Sequence, residues 1–498
     1  MMDVYNLLLQ SLVVPAVFAL LTLSLGLGGV HGRRLGWIAF IPLAYSAAIY
    51  AYVGLGVSLG FIQGGLEASY PWAPYIGDFT LLADALSTPV AFTVAILSAL
   101  IAVYSMEYME GAEHLELYYA LYLLYAVGML GSILSTNLAA FFLFFELMLL
   151  PSWALIGVWG TGPRERIAFK YFIFTEAGAL SLLAGILISR FTYGTFDVFK
   201  IAAPAADRTA FTVAALILLG LFVKMAIFPL HTWLPDAHAE APTPISALLS
   251  PAMIGIGGYA AIRIIYTAFP ALIADHGFIM AISILAVVTM FYGGFLALAQ
   301  DDLKRLLAYS SISQMGYLLF GVASSSIIGL AGAVLLYMSH GFAKAVLFMV
   351  SGVFMHKYET RRISDLGGLA GKMPYTATVS LISFLSLAGT PPLLGFWSEI
   401  FIFAGSMHSS LTGLLSLDMG KAWITAVAVT ATVLTTGYGL RAVRRIFFGQ
   451  EKEDLRPGEA PSTMLAPIII LTIFSVILGI YPTPITGQLG TLLSKLIP

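Results

Sequence analysis

Residues 212–251 read TVAALILLGLFVKMAIFPLHTWLPDAHAEAPTPISALLSP. The stretch begins as an apolar run of the length that crosses a lipid bilayer, and Lys224 lies in the middle of this run. A segment rich in proline and in titratable side chains follows, and then apolar sequence resumes. A helix that carries a charge and breaks next to it is typical of an ion pathway in a transporter.

The position of Lys224 limits what can surround it. A lysine at the centre of a bilayer costs roughly 2.5–3.5 kcal/mol on insertion scales, so it is expected to face a partner or a water-filled cavity. The irregular backbone beside it must likewise be covered by protein or water. The alternative is a lysine that reaches the membrane surface from a helix end. Several turns of apolar sequence before Lys224 disfavour that alternative.

The composition of the whole chain is that of a membrane protein. Of its 498 residues, 59% are hydrophobic and 10% are charged, whereas about 25% are charged in a typical soluble domain. The formal net charge of −2 excludes a nucleic-acid surface as the main function. The sequence contains no cysteine, which excludes disulfides, thiolate metal sites and cysteine-bound iron–sulfur clusters. We expect neither a cofactor nor a metal ion in this chain.

Apolar stretches of about 20 residues predict the fold class. Fourteen of them cover residues 7–28, 36–59, 87–107, 117–135, 138–160, 168–189, 210–229, 243–269, 277–299, 306–323, 327–355, 376–405, 421–447 and 463–482. We therefore predict an all-α, polytopic membrane protein with about fourteen transmembrane helices, called spans one to fourteen. Span one has no basic leader and no small-residue cleavage site, so we expect it to be retained.

The distribution of Lys and Arg predicts the orientation. The loops after odd-numbered spans hold 16 of the 24 basic residues, and the even-numbered loops with the C-terminus hold 5. By the positive-inside rule the odd-numbered loops are cytoplasmic, so both termini lie outside. We expect the chain in the plasma membrane of a prokaryote, with the inner membrane of an energy-transducing organelle as the less favoured location.

Two carboxylates lie within apolar stretches of the first half. Glu146 is surrounded by Phe and Leu in span five, so it is either protonated or paired with a cation, for which Lys224 is the candidate. A neutral glutamate that only packs against other helices is the alternative. Glu176, about two turns into span six, is either bonded to Lys170 at the membrane surface or a second proton site.

The second half carries its own titratable residues. Lys304 lies at the start of span ten, with Asp301 and Asp302 expected to pair with it. His340 and Lys344 in span eleven are four residues apart and therefore share a helix face. Because like charges repel, at least one of the two is expected to be neutral. Histidine is the usual proton relay, and a hydrogen-bonded core histidine is the alternative.

Span twelve repeats the design of span seven. It is interrupted by Gly389, Pro391, Pro392 and Gly395 and then carries Glu399. The two broken spans are five apart, so they cross the membrane in opposite directions, which predicts two inverted five-helix repeats. The predicted units are 1–116 (spans one to three), 117–270 and 271–450 (the repeats), and 451–498 (span fourteen and a tail).

Four segments carry a resemblance to a known family. They are FFELMLLPSWALIGVWG (144–160), FVKMAIFPLHTWLPDAHAEAPTPIS (222–246), QDDLKRLLAYSSISQMGY (300–317) and SHGFAKAVLFMVSGVF (339–354). These segments resemble the antiporter-like membrane subunits of complex I, a family shared with Mrp-type cation/proton antiporters and membrane-bound hydrogenases. The resemblance runs from about residue 84 to residue 449, and the PLHTWLPDAH segment is specific to the family.

The resemblance implies roles in proton translocation. Glu146 and Lys224 fall on the family's span-five glutamate and span-seven lysine, His340 on its span-eleven histidine and Glu399 on its terminal ionisable residue. By position, Lys344 and Lys304 would take part in the relay. His231, Asp236, His238 and Glu176 would support it. A glutamate at position 399, the tract TRRISDLGGLAGKMP (360–374) and the absence of a long C-terminal lateral helix favour the M type (ND4-like).

Three positions depart from the family pattern. Gly255 stands where the family has a lysine in span eight, Gln314 stands where it has a histidine in span ten, and Glu176 occupies a position that is usually uncharged. Loss of the span-eight lysine removes one link between the two predicted half-channels.

These features predict a proton-translocating subunit of a respiratory, complex I-like assembly. The chain itself would hold no redox site, and whether it counts as part of an enzyme depends on the assembly. Its partners would be other antiporter-like and small membrane subunits, a peripheral redox module and membrane lipid, without nucleic acid. The alternatives are a subunit of an Mrp-type Na⁺/H⁺ antiporter or of a membrane-bound hydrogenase, or a structural subunit that has lost pumping.

Overall fold

The computed structural model describes residues 6–201, 203, 205–411, 418–452 and 454–495, and most of them are helical. The helices are α1 (Asn6–Leu27), α2 (Arg33–Leu59), α3 (Ser87–Tyr108), α4 (Leu115–Leu134), α5 (Leu138–Trp159), α6 (Arg164–Tyr193), α7 (Arg208–Met225), α8 (Leu234–Glu240), α9 (Thr243–Leu248), α10 (Ile256–Ala268), α11 (Pro270–Ile273), α12 (His276–Ala299), α13 (Leu303–Val322), α14 (Ile327–Tyr358), α15 (Pro374–Leu387), α16 (Leu394–His408), α17 (Met419–Thr430), α18 (Thr432–Phe448), α19 (Ser462–Ile480) and α20 (Thr483–Leu493). A π-helical segment (Leu249–Met253) and a 3-10 turn (Ile363–Asp365) complete the helical structure of these residues.

Each predicted span coincides with helix. Span seven corresponds to α7, which the short helix α8 follows after a break. Spans eight, twelve and thirteen are each built from two helices, namely α9 and α10, α15 and α16, and α17 and α18. Twelve helical segments among the described residues are long and apolar enough to cross a membrane. The other two predicted spans are α13 and the α15–α16 pair. Helix α13 is buried on nearly all sides by protein, so it can carry polar side chains, and the α15–α16 pair is divided by its break.

Contacts between loops show that the spans alternate in direction. Odd-numbered loops contact one another through Arg33 and Glu107 (2.8 Å), Asp302 and Arg361 (2.7 Å), and Lys372 and Glu451 (2.9 Å). Even-numbered loops and span ends do the same through Asp84 and Arg263 (2.6 Å) and through His276 and Asp418 (3.1 Å). The molecule therefore has an odd-loop face and an even-loop face. That the odd-loop face is cytoplasmic stays a prediction.

One strand pair departs from the all-helical prediction. Residues Leu66–Ala73 (β1) and Gly77–Ala83 (β2) form an antiparallel hairpin at the even-loop face. The first residues of β1 alternate between buried and exposed, which is the pattern of a strand with one covered face. Asn137, at the start of α5, donates from its amide to the carbonyls of Ile76 and Asp78 at 3.0 Å and so ties the hairpin to span five.

The predicted breaks in spans seven and twelve are confirmed. Helix α7 ends at Met225, Ala226 has a φ of 54°, and helix resumes at Leu234. In span twelve α15 ends at Leu387 and α16 begins at Leu394. Such breaks free backbone carbonyls, and the indole of Trp233 accordingly donates to the carbonyl of Val223 at 3.0 Å.

Span eight contains a third irregularity, which the sequence pattern did not predict. Helices α9 and α10 are joined by the π-helical segment Leu249–Met253. Pro251 has no backbone N–H, so a regular helix cannot continue through it with all of its hydrogen bonds. The hydroxyl of Tyr337 in α14 donates to the carbonyl of Ala252, within this segment, at 2.7 Å.

The two predicted repeats share a packing pattern. Successive spans from four to eight contact one another, and so do successive spans from nine to thirteen. In both sets the first span also contacts the last, through α4 with α10 and through α12 with α18. Two repeats would produce this pattern, while their inverted relation and the limits of the four predicted units stay predictions.

Candidate functional site

The titratable residues selected from the sequence are mostly buried. Lys224 ends α7 just before the break of span seven, and Glu399 lies in α16 just after the break of span twelve. Lys224 is 1% exposed and Glu399 7%. His340 and Lys344 in α14 and Lys304 in α13 are also buried, whereas Glu146 in α5 and Glu176 in α6 are half-buried. These side chains therefore lie on helices of both predicted repeats.

Glu146 and Lys224 are neighbours but not an ion pair in this conformation. The Lys224 ammonium lies 5.0 Å from the centroid of the Phe145 ring, and no described residue accepts a hydrogen bond from it. Oε1 of Glu146 likewise has no hydrogen-bond partner among the described residues. Glu146 nevertheless lies within electrostatic range of Lys224 and of Glu176. Their coupling during transport stays a prediction.

Of the two alternatives for Glu176, the bond to Lys170 is not formed in this structure. The Lys170 ammonium pairs with Asp236 at 2.8 Å, and Arg305 approaches the same carboxylate at 3.4 Å. Glu176 instead lies beside Glu146. Asp236 is thus held at the odd-loop face, where its ion pairs line a cavity of about 580 Å³. Of the two alternatives for Glu176, the second proton site is the one that this arrangement leaves open.

The expected pairing of Lys304 with Asp301 and Asp302 is wrong. The Lys304 ammonium donates to the carbonyl of Ala241 at 2.6 Å. Asp302 caps the N-terminus of α13, so its carboxylate lies at the helix start, where Nε of Arg361 approaches it at 2.7 Å. Asp301 accepts from the hydroxyl of Ser364 at 2.6 Å. Lys304 therefore extends into the protein rather than towards the loop.

His340 and Lys344 share a helix face, as predicted, and meet a histidine from α8. The Lys344 ammonium donates to the carbonyl of Leu307 at 2.9 Å and to the hydroxyl of Ser310. Nε2 of His340 has no hydrogen-bond partner among the described residues. His238 lies within electrostatic range of His340, Lys344 and Lys304. We call His238, Lys304, His340 and Lys344 the central cluster.

The two histidines of the PLHTWLPDAH segment occupy different places. The ring of His238 stacks on Phe348 of α14 with centroids 5.1 Å apart, and neither ring nitrogen has a hydrogen-bond partner among the described residues. His231 lies in the break of span seven, where its ring contacts those of Phe228 (5.6 Å) and Tyr292 (4.5 Å). Only His238 joins the central cluster.

Among the described residues, Glu399 has no cationic partner within ion-pair distance. Its Oε2 lies against Gly389, whose φ of 66° lies in the left-handed region. Oε1 has no hydrogen-bond partner among the described residues. The hydroxyl groups of Tyr317 and Tyr438 lie within electrostatic range of the carboxyl group. The sequence pattern did not select these two tyrosines, because a tyrosine within an apolar stretch looks like any core aromatic residue.

Comparison with known proteins places this geometry in a family. The family model for the transmembrane region of NADH:quinone oxidoreductase and Mrp antiporters matches residues 135–425. This chain belongs to the NADH:quinone oxidoreductase/Mrp antiporter family. A second model, for the N-terminal part of chain 5 of NADH-ubiquinone oxidoreductase (complex I), matches residues 72–119.

Individual members of the family support the assignment. The chain is 30% identical to F(420)H(2) dehydrogenase subunit M of Methanosarcina mazei, over 96% of this chain and 95% of that protein. It is 31% identical to Na(+)/H(+) antiporter subunit A1 of Staphylococcus epidermidis, over 97% of this chain and 62% of that protein. A chain of respiratory complex I from Thermus thermophilus superposes with a TM-score of 0.85 at 26% identity, over 99% of this chain and 100% of that one. The family resemblance read from the sequence is confirmed.

The structure explains how this family member accommodates Gly255. A Cβ atom at this position would lie 2.5 Å from Cδ2 and 2.6 Å from Cε2 of Tyr337. The ring of Tyr337 therefore lies where a span-eight side chain would begin. Gln314 is a second position where the sequence departs from the expected pattern. Its Nε2 donates to the carbonyl of Leu387, at the break of span twelve, over 3.5 Å.

Proposed function

We propose that this chain is a proton-translocating, antiporter-like subunit of a respiratory, complex I-like membrane assembly. Redox chemistry elsewhere in the assembly would drive proton movement through it. The observation that carries the proposal is the succession of buried titratable side chains, from Lys224 at one helix break, through the central cluster, to Glu399 at the other. Buried ionisable groups in membrane spans are costly, and they mark proton and ion pathways.

The surroundings of Lys224 suggest how its proton is controlled. A carboxylate close to an ammonium group stabilises the protonated lysine, and a carboxylate that moves away favours release of the proton. Glu146 lies near Lys224 without bonding to it, so a small helix movement can change their separation in either direction. Such coupled groups titrate as a set. Protons would then pass through the central cluster to Glu399 and leave at the even-loop face.

The proposal extends to location and partners. We place the chain in the plasma membrane of a prokaryote, with the basic odd-loop face in the cytoplasm and both termini outside. Its partners would be further antiporter-like and small membrane subunits and a peripheral redox module that holds the redox cofactors. This chain would contribute no redox cofactor of its own.

A second candidate function is a subunit of a Na⁺/H⁺ antiporter. It is favoured by the likeness to the staphylococcal antiporter subunit, which extends over 97% of this chain. The respiratory proposal is preferred because the match to the dehydrogenase subunit M covers 95% of that relative, whereas the antiporter match covers 62%. A structural subunit without transport is the third candidate, and the absence of a span-eight lysine is its support.

The test is to isolate the assembly through an affinity tag on this chain and to reconstitute it in proteoliposomes. NADH and reduced F(420) are supplied in turn as donors with a quinone analogue as acceptor, and internal pH is followed in sodium-free buffer. Proton transport that depends on electron transfer is expected. Sodium uptake driven by an imposed pH gradient, without any donor, would favour the antiporter. Rapid electron transfer without ion movement would favour the structural subunit and contradict the proposal.

A further inference from the structure

A mostly apolar cavity lies between five helices at the even-loop side of the molecule. It has a volume of about 280 Å³ and is bounded by α2, α3, α14, α19 and α20. Its walls include the side chains of Ala51, Leu55, Phe92, Met338 and Phe474. Leu55 is 56% exposed on the surface of α2, so the cavity reaches the membrane around the protein. The titratable groups of the candidate site do not line it.

The cavity has the depth of one lipid leaflet. Tyr50 and Ser58 line its two ends on α2, and they are about 12 Å apart at a rise of 1.5 Å per residue. One leaflet of the hydrocarbon core is about 15 Å thick. Ser58 lies next to the even-loop end of α2, and Met338 lies deep within α14. The cavity therefore runs from the even-loop surface towards the middle of the membrane.

One polar group in the cavity has no protein partner. Thr88, the second residue of α3, is 2% exposed, and its Oγ1 has no hydrogen-bond partner among the described residues. The side chain faces α2, since its Cγ2 lies 3.1 Å from the position that a Cβ atom on Gly54 would take. Buried polar atoms in folded proteins almost always have a hydrogen-bond partner. This hydroxyl, at the shallow end of an apolar cavity, is therefore suited to a ligand that places an oxygen atom there.

A second, polar cavity of about 290 Å³ continues from the first one to the even-loop surface. Gln488 of α20 lines both cavities, and its amide donates to the carbonyl of Gly54 at 3.0 Å. Gln63, Thr491 and Lys495 also line the second cavity, and no acidic side chain does. Lys495 therefore gives this cavity a positive charge that nothing else in its lining offsets.

We propose that the two cavities together bind one anionic phospholipid of the leaflet at the even-loop face. Its phosphate lies in the polar cavity beside Lys495, and the Thr88 hydroxyl donates to an ester or ether oxygen of its glycerol backbone. One hydrocarbon chain fills the apolar cavity down to Met338. Phosphate, glycerol oxygen and hydrocarbon chain follow one another along a phospholipid in the same order as the positive, polar and apolar lining from the surface inwards.

This ligand explains more of the lining than other occupants do. An empty apolar cavity leaves the side chains around it without contacts, and apolar walls offer water no partners. A membrane quinone can place its tail in the apolar cavity, but it has no phosphate for Lys495. A bound lipid would also hold α20 against α2 and α14, with which α20 packs. The site uses none of the groups proposed for proton transport, so it stands without the proposed function.

The test locates a labelled lipid chain within the assembly. The tagged assembly is placed in liposomes that contain a phosphatidylglycerol with a diazirine near the end of one acyl chain, at a content that half-saturates labelling. After illumination, mass spectrometry of peptides identifies the labelled residues. We expect labelling of Met338 and Phe474. Met338 is decisive because it is 2% exposed, so a lipid on the outer surface does not reach it.

Competition identifies the class of ligand. About a tenfold excess of unlabelled phosphatidylglycerol is expected to lower the labelling of Met338 roughly fivefold or more by mass action. The same amount of a quinone with an isoprenoid tail should leave the labelling unchanged. Labelling that falls with the quinone and not with the phospholipid overturns the proposal.

Two variants test the lining, each with a control on the same helix. Ala51→Phe fills the apolar cavity and should abolish the labelling, whereas Ala48→Phe on the exposed side of α2 should leave it unchanged. Thr88→Val removes the unpartnered hydroxyl, so lipid affinity should fall roughly two- to tenfold. Thr93→Val removes a hydroxyl that donates to the carbonyl of Pro89 at 2.8 Å, and it should not change the affinity.

A third variant tests the charge. Lys495→Glu should weaken phosphatidylglycerol binding roughly fivefold or more, whereas Arg208→Glu, at another exposed position of the even-loop face, should have no effect. The proposal is overturned if Met338 is unlabelled in the wild-type assembly, or if Ala51→Phe is labelled as the wild type is. Wild-type labelling in both Thr88→Val and Lys495→Glu overturns it as well. If Ala51→Phe does not assemble, these two variants decide by the same measurement.

Discussion

Replacing Asp84 by alanine is expected to destabilise the chain by about 3–5 kcal/mol, because it leaves the Arg263 guanidinium buried without a carboxylate. The two side chains are 3% and 6% exposed, and Nη2 of Arg263 lies 2.6 Å from Oδ1 of Asp84. The same oxygen accepts from the backbone N–H groups of Leu86 (3.0 Å) and Ser87 (2.9 Å). This ion pair joins the segment just before span three to the even-loop half of span eight.

Two further variants resolve this destabilisation into its parts. Asp84→Asn keeps an oxygen for the backbone N–H groups and loses the charge, so we expect a smaller loss of about 1.5–3 kcal/mol, as for a hydrogen bond to a charged group. The double variant Asp84→Ala with Arg263→Met removes both charges. Because no buried charge is then left unpaired, it should be more stable than Asp84→Ala alone.

The free energy of unfolding can be measured by SDS titration of the purified chain in mixed micelles, with tryptophan fluorescence as the signal. With Arg263→Met measured alone as the second single variant, the double-mutant cycle gives the coupling between the two side chains. The reasoning is refuted if the double variant loses the sum of the two single losses, or if Asp84→Ala unfolds at the wild-type SDS concentration.

Two further substitutions test other contacts, and the same titration measures the free energy of unfolding of both. Gly255→Ala is expected to lower this free energy by about 1–3 kcal/mol, because its Cβ would overlap the ring of Tyr337. The loss should disappear when Tyr337 is also changed to leucine, and equal losses with and without that change would contradict the overlap. Glu240→Gln is expected to lower the free energy of unfolding by about 1–3 kcal/mol, because it weakens a largely buried ion pair of 3.2 Å with Arg361. Its control is Glu67→Gln, at an exposed strand position, which should leave the free energy of unfolding unchanged.

Much of the fold follows from local sequence. Apolar length predicts the spans. Proline and glycine near Lys224 and Glu399 predict the breaks, because proline lacks the N–H group that a helix needs and glycine lowers helix stability. The π-helical segment has a local cause as well, in Pro251. The hairpin is harder to predict, since only the first residues of β1 alternate in burial.

The site is less predictable, because its contacts join distant parts of the chain. Lys304 was expected to pair with its neighbours in sequence, yet Asp302 is held by Arg361 from the loop after α14. The role of Asp302 as an N-cap was a local signal that its carboxylate belongs to the helix start. No local signal reveals that Tyr337 fills the space beside Gly255, because that contact depends on how α14 packs against span eight.

The most direct measurement of the central claim is the pH gradient formed per electron by proteoliposomes that contain the assembly with Lys224→Ala. Proton transport is expected to fall strongly, while electron transfer partly survives and assembly on a native gel is normal. Glu146→Ala and Glu146→Gln should impair transport as well, and Lys224→Arg should fail because arginine does not release its proton. Lys452→Ala, at an exposed position of the odd-loop face, is the control and should transport normally. Full proton transport by a correctly assembled Lys224→Ala complex would contradict the account.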